Sequence, residues 1–322
     1  MSCGEPDVHA VRRGGVMGDL DVRKLRMLRE LDERGTVAAV AQALHLTPSA
    51  VSQQLVALSK EAGVRLIEPV GRRVRLTEAA RVLLRRANDI FAELERVQAD
   101  LLAYSEGSVA EVRVAGFAAT LSGLVLPAVR ELRDSHPGVA VRLVEADPPH
   151  SFDQLVRGDV DVVLSLESKD SPAATDRRFH RVALLAERFD VALPVHHPLA
   201  HAPAVRLADL ANEAWIFSNT GTCRDISFAA CIAAGFTPEI VHHIGDWEAT
   251  LGAVALGLGL ALVPRLINAG PRDDVVIRVL DAEQPTRHVF AAVRSGSEEA
   301  PHLAAVLGAL AEAAEVKAAQ RG

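Results

Sequence analysis

The chain has 322 residues, room for two or three domains, and its 49% hydrophobic but only 4% aromatic content is that of a well-buried globular protein. Its formal net charge is −7, so any contact with nucleic acid has to come from a local basic patch. The longest apolar stretch, residues 251–263, contains three glycines and falls short of the roughly 20 residues a membrane span needs, and no signal-peptide core stands near the start, so no membrane association and a cytoplasmic location are expected.

Residues 1–18 read as a disordered tail, glycine- and arginine-rich without period, and Met17 is an alternative translation start because helical patterning begins just after it. Leu25, Leu28 and Leu31 mark a first helix stopped by Gly35, and Thr36 caps a short second one through Val37, Val40, Ala41 and Leu44. The third helix opens with Thr47 as cap and Pro48 in the first turn. Ala50, Val51, Leu55 and Leu58 form its apolar stripe, while positions 49, 52, 53, 56 and 60 fall on the other side. Strand-like runs at 64–67 and 74–76 flank a turn carrying Arg72 and Arg73. Two short helices joined tightly, then a hairpin, make a winged helix-turn-helix pattern. Residues 45–86 hold eight Lys/Arg against three acids, a local net of +5 suited to phosphate contact.

A long helix is predicted from Thr77 to about Tyr104. Ala80, Leu83, Ala87, Ile90, Leu94, Val97 and Leu101 alternate at three- and four-residue steps, the pattern of a coiled-coil seam against a second copy of the same helix. Beyond "SEGSVA" the patterning changes. Strands are predicted at 111–115, 139–145 and 161–165, with helices at 121–135 and 151–157 between them. A second set covers strands at 182–193, 215–218, 239–244 and 260–263, with helices at 224–234 and 247–256. A strand at 289–293 and a helix from Pro301 close the chain. Such alternation specifies parallel α/β units. Residues 108–322 hold 19 basic and 27 acidic groups, which suits a small-molecule binder better than a nucleic-acid binder.

The stretch from Leu20 to about Leu101, with "LDVRKLRML", "GTVAAVAQALHLTPSAVSQQLVALSKEAGVRLIE" and "GRRVRLTEAARVLL", resembles the N-terminal half of LysR-type transcriptional regulators. "GFAATLSGLVLP", "LVRGDVDVVLS", "VALPVHHPLA", "CIAAGFTP" and "VALGLGLALVP" resemble, more loosely, the effector half of that family. The resemblance implies an N-terminal all-α winged helix-turn-helix with a long linker helix, and a C-terminal two-lobed α/β effector domain like a periplasmic binding protein. The boundaries expected are 19–76 for the DNA-binding domain, 77–104 for the linker and dimerisation helix, and 109–322 for the effector domain, with lobe I at about 109–170 and 285–322 and lobe II at about 178–280. The implied partners are a double-stranded DNA operator, a small and anionic effector, and a second copy joined through the linker helix, with a tetramer as the further option.

By position, the resemblance places Thr47, Pro48, Ser49, Ser52 and Gln53 at the DNA, with Arg72 and Arg73 on the backbone or in the minor groove. The chain departs from the common family pattern here, with Pro48-Ser49 where Gln-Pro is usual and Gln53 where Arg is usual. Gln53 can pair an adenine edge, whereas arginine favours guanine. In the effector half the matching positions are Ala119 and Thr120, Leu166, Ser218, Asn219 and Thr220, and Asp246, each following a strand where helix N-termini favour carboxylates.

Other readings have less behind them. "GLGLAL" at 257–262 precedes a strand and lacks the third glycine of a dinucleotide loop. The adjacent pairs His196-His197 and His242-His243 lack zinc-site spacing. There is no GxSxG, HExxH or CxxC, so no catalytic residue, no metal site and no cofactor is assigned and the chain is not read as an enzyme. An enzyme or solute-binding module fused to a DNA-binding domain is the outside alternative. Cys223 and Cys231 resemble in place and spacing the redox pair of the family's peroxide sensors, which makes a thiol switch the alternative. Along a helix, however, eight residues span about 12 Å, too far for a disulfide without local unfolding.

Overall fold

The computed structural model describes residues 19–70, 73–103, 110–267, 270, 272–281 and 284–319. The predicted tail at 1–18, Cys3 and Arg72 lie outside the described residues, as does the side chain of Arg73. The chain divides into two compact units, Met1–Phe91 and Ala92–Gly322.

The first unit is built on helices whose ends are closed by their own side chains. Helix α1 (Val22–Arg34) is capped by Asp21 and terminated by Gly35, whose φ of 70° lets its N–H reach the Leu31 carbonyl. Thr36 caps α2 (Val37–Ala43), and Thr47 caps α3 (Pro48–Glu61) by accepting from the Ala50 N–H at 3.2 Å. The hairpin β1 (Ile67–Val70) and β2 (Arg73–Leu76) pairs Ile67 with Leu76 and Val70 with Arg73. Its first strand starts three residues later than the apolar run at 64 suggests. Residues 62–66 are used to turn the chain after α3: Gly63 has φ 67°, and Ser59 Oγ accepts from the Leu66 N–H.

Helix α4 (Glu78–Ala103) corrects the seam. Ala80, Leu84, Ala87 and Phe91 are buried against Leu25, Leu28, Val51 and Leu55 of the first unit's own core, and the Arg29 guanidinium lies 4.5 Å over the Phe91 ring. Ile90, Val97 and Leu101 remain 42%, 46% and 64% exposed. The predicted stripe is therefore split: Ala80, Leu83 and Ala87 are turned inward, Leu94 is half-buried, and Ile90, Val97 and Leu101 are left open.

In the second unit β3 (Ala110–Gly116) leads into a continuous helical run, α5 (Ala118–Thr120), a π turn (Leu121–Val125) and α6 (Leu126–Ser135). Then come β4 (Val139–Glu145), α7 (His150–Arg157), β5 (Val162–Leu166) and the sixteen-residue β6 (Phe179–Pro194). A 3-10 turn (Leu207–Leu210), β7 (Ala214–Phe217), α8 (Thr222–Ala233), β8 (Glu239–His243), α9 (Trp247–Ala255) and β9 (Ala261–Pro264) follow. The chain closes with β10 (Val275–Arg278), which the sequence reading does not predict, then β11 (Thr286–Arg294) and α10 (Pro301–Ala319).

The sheet order is β10-β6-β11-β5-β3-β4, with β9 also on β6. Strand β6 serves two partners in succession: residues 179–188 pair with β11, and residues 189–194 pair with β9 and β10. The parallel pair β7 and β8 lies in its own sheet. One apolar core lies against β3, β5 and β11 and another around Trp215, Phe189 and Leu210. Both cores thus draw on β6, the first through Ala192 and the second through Phe189, Val191 and Leu193.

Gly116 ends β3 where the chain can carry no side chain: an added Cβ would stand 2.7 Å from Thr120 Oγ1 and 3.3 Å from the Leu164 Cβ. Thr120 is held there because its hydroxyl donates to the Phe117 carbonyl at 2.8 Å. Gly116→Ala is expected to lower stability by about 1–3 kcal/mol, with part recovered in Gly116→Ala/Thr120→Ala. The urea midpoints of the three proteins check it, and a double variant no better than the single would mean that another contact carries the cost.

Candidate nucleic-acid interface and ligand cleft

On α3 the local chemistry separates two faces. Val51, Leu55 and Leu58 are buried, whereas Thr47, Pro48, Ser49, Ser52, Gln53 and Val56 are exposed, as is Lys60 further along. The side chains of Ser49, Ser52 and Gln53 take no hydrogen bond among the described residues, while Thr47 is spent on its cap. Short polar groups with unused donors and acceptors on a convex helix face are what base-edge reading in a major groove requires. The surrounding charge is less free than the sequence count implies. Arg75 is paired with Glu68 at 2.6 Å and Arg81 with Glu78 at 3.2 Å, leaving Lys60, Arg65 and Arg85 as cations without an ion pair among the described residues of this stretch.

The second unit holds a cleft of about 690 Å³. Its lining joins the start of the helical run after β3 (Phe117, Ala118, Ala119), the segment after β4 (Glu145, Asp147, Pro148), the loop after β5 (Ser168, Asp170), the start of α8 (Gly221, Thr222, Cys223, Arg224) and that of α9 (Asp246, Trp247). Of the expected ligand positions, Ala119, Leu166, Ser218, Thr220 and Asp246 line it. Two do not. Thr120 is fully buried with its hydroxyl turned onto Phe117, and Asn219 is not part of the lining. Asp246 is partly committed, since its carboxylate caps α9 by accepting from the Ala249 N–H at 2.8 Å. No side chain caps α8, whose N-cap is Gly221, nor the helical run that begins at Ala118. Both uncapped helix starts lie in the cleft wall.

The residue that sequence reading misses is Arg287. It is 3% exposed, lines the cleft, and stands opposite Glu187 in the β11–β6 register. Its Nε donates to Glu187, itself 2% exposed, and the other Glu187 oxygen accepts from the Leu266 N–H. Nη1 donates to the Cys223 sulfur at 3.1 Å, and the guanidinium packs 5.2 Å from the Phe117 ring. Nη2 is buried and has no partner among the described residues. A buried guanidinium with the whole NH2 group at Nη2 left open is costly unless something accepts from it. The signal is present as opposite charges inside two apolar strand segments, but the predicted strand begins at Val289 and leaves Arg287 outside.

Burial raises the pKa of the thiols of both Cys223 and Cys231. Burial pushes the Cys223 thiol up most, Arg287 pulls it back, and Glu187 and Asp147 push it up further. Cys231 is pushed up to about 12 by burial in the Trp215 core. Among the described residues no group of three His, Cys, Asp or Glu is placed to hold a metal ion, and no helix is long and apolar enough to cross a membrane.

Comparison with known proteins agrees with both halves. Residues 22–81 match the model of the bacterial regulatory helix-turn-helix protein of the lysR family, and residues 105–315 match that of the LysR substrate binding domain. The chain is 27% identical over 250 residues to the transcriptional dual regulator GltC of Bacillus subtilis, covering 76% of this chain and 81% of that protein. It is 28% identical over 284 residues to the DNA-binding transcriptional dual regulator OxyR of Escherichia coli, covering 86% of this chain and 90% of that one. The Corynebacterium glutamicum OxyR C206 mutant shares the fold with a TM-score of 0.58 at 20% identity, over 94% of each chain.

Removing one partner of a buried ion pair leaves the other charge stranded. Arg287→Met is expected to cost about 3–5 kcal/mol of stability, and Glu187→Gln/Arg287→Met to recover most of it, because the neutral amide oxygen of the new glutamine still accepts from the Leu266 N–H without a buried charge. Chemical denaturation of the three proteins decides it; equal stability of Arg287→Met and the parent would show that the pair is not closed in solution.

Proposed function

The chain belongs to the LysR family of bacterial transcriptional regulators and is a DNA-binding regulator; from that premise we propose that its second unit senses a small molecule through a carboxylate bound at Arg287. The observation that carries this is the open Nη2 of Arg287 in a cleft wall that also holds the uncapped start of α8. A carboxylate there would satisfy the guanidinium and the first-turn N–H groups together. Ala119, Leu166, Ser218, Thr220 and Asp246 would surround it. Thr120 and Asn219, expected at the ligand from sequence, would act behind the lining rather than at it.

In this reading the DNA-binding domain is 19–76, the linker helix 77–104 and the effector domain 109–322. Ser49, Ser52 and Gln53 read base edges, Thr47 and Pro48 set the helix start against the duplex, and Arg72 and Arg73 on the wing hold phosphate or enter the minor groove. The open apolar residues of α4, Ile90, Val97 and Leu101, pair with those of a second copy, so that two recognition helices meet two half-sites. A ligand that prefers one arrangement of the effector domain would then shift the geometry of the pair on DNA.

A thiol switch is the second reading, favoured by the Arg287–Cys223 contact and by the likeness to OxyR. Against it stand the raised pKa values of both thiols, since the thiolate is the reactive form. Operator titrations separate the two: the ligand reading expects affinity to be indifferent to hydrogen peroxide and unchanged in Cys223→Ser without effector, whereas a peroxide response lost in Cys223→Ser would reverse the order.

For the interface, Ser52→Ala and Gln53→Ala are expected to lose about 1–3 kcal/mol of discrimination between operator and mismatched DNA, while Arg72→Ala weakens both alike and flattens the salt dependence. Titrations at low and high salt read this directly, and an unchanged specificity ratio removes Gln53 from base reading. For assembly, Val97→Glu is expected to convert dimers to monomers, because an unpaired charge in a dimer seam is costly. Light scattering that still reports the parent mass would move self-association to another surface.

A further inference from the structure

The cleft's charge argues that its ligand is not a simple anion. Among the described residues the lining carries four carboxylates, Glu145, Asp147, Asp170 and Asp246, against two guanidinium groups, Arg224 and Arg287. Arg287 is already balanced by the buried Glu187, and Asp246 is engaged as a helix cap. Arg224 is only weakly balanced by Asp225, at 3.7 Å. Glu145, Asp147 and Asp170 take no ion pair and no side-chain hydrogen bond among the described residues. Three carboxylates without a partner among the described residues therefore share the cleft lining with a guanidinium whose buried Nη2 also has none among them. A dicarboxylate entering this space would satisfy Arg287 with one end and meet like charge with the other. A purely cationic ligand would satisfy the wall and leave Arg287 Nη2 stranded.

Resting on the reading of Arg287 as the carboxylate anchor, we propose that the effector is an amino-carboxylate, its carboxylate on Arg287 and its protonated amine against Glu145, Asp147 and Asp170. The two ends of such a molecule match the two sides of the cleft, and each charge that is desolvated on binding gains an opposite one. Ala118, Ala119, Leu166 and Ile216 supply the apolar lining along which the intervening carbons lie. Recognition by two charged ends is also a discrimination device, because a compound lacking the carboxylate leaves the buried Arg287 Nη2 unanswered, and one lacking the amine gains nothing from the exposed Glu145, Asp147 and Asp170.

The test is calorimetric titration of the full-length protein with matched straight-chain compounds of about three to six carbons, each length offered as dicarboxylate, amino-carboxylate and diamine. The amino-carboxylate is expected to bind at least about tenfold more tightly than the other two of its length, and Glu145→Gln/Asp147→Asn/Asp170→Asn to abolish that preference and raise affinity for the dicarboxylate. The inference is overturned if the dicarboxylate binds best in the parent protein, if the preference survives the triple substitution, or if no amino-carboxylate binds. Glu187→Gln/Arg287→Gln separates the two levels of the argument. Where the dicarboxylate binds best in the parent, loss of that binding in this variant would leave Arg287 as the anchor and dismiss only the amine; binding indifferent to it would dismiss the anchor as well.

Discussion

The ion pair between Glu187 and Arg287 sits where the second unit changes from one set of strand partners to another. Glu187 is among the last β6 residues paired with β11, and two positions later Phe189 begins the part of the strand that pairs with β9. Both side chains are almost wholly removed from water. Charges so placed stabilise little by themselves, because desolvation offsets most of their attraction, but they are intolerant of being separated. The pair therefore acts as a constraint: it ties β6 to β11, the Leu266 turn to β6 through the second carboxylate oxygen, and the first turn of α8 to β11 through Cys223. A ligand drawn to the remaining N–H groups engages a guanidinium that already reaches three elements. Such a group can turn occupancy into a change of lobe arrangement, provided the ligand binds the arrangements unequally.

The first unit is organised on the opposite principle. Its helices are closed locally by Asp21, Thr36, Thr47 and Thr77, each accepting from a backbone N–H within the next turn. With the helix ends satisfied from within, the outward face of α3 is free to keep polar side chains that bond to nothing among the described residues. Helix α4 takes part in that core through Ala80, Leu84, Ala87 and Phe91 and then runs on with Val97 and Leu101 open. One helix thus serves a folded domain with its first half and presents a surface with its second.

How much is legible in the sequence follows from the range of the interactions. Caps, the Gly35 stop and the apolar steps of α1 to α4 act over three or four residues, so a one-dimensional reading finds them. The three-stranded parallel core of β3, β4 and β5, with its intervening helices, is readable for the same reason. Heptad spacing identifies which α4 positions are apolar but cannot tell which partner covers them, and the chain's own core takes Ala80 and Ala87. The first wing strand is placed too early because the apolar pattern starts at Val64 while the chain is still turning. In the cleft, the positions after strands are found, since strand ends and helix starts alternate visibly. The hydroxyl of Thr120 cannot be oriented from sequence, because a carbonyl three residues back competes for it. Arg287 and Glu187 lie 100 positions apart and are joined only by strand register, which no local pattern encodes.

The ligand that changes operator affinity is expected to be held at Arg287. A crystal structure of the full-length protein bound to a compound selected for that effect decides it. The expected result is a carboxylate oxygen within hydrogen-bond distance of Arg287 Nη2 at the start of α8, with the Glu187 pair intact beneath it. A ligand seated away from Arg287, or one that breaks the Glu187 pair to enter, would contradict it.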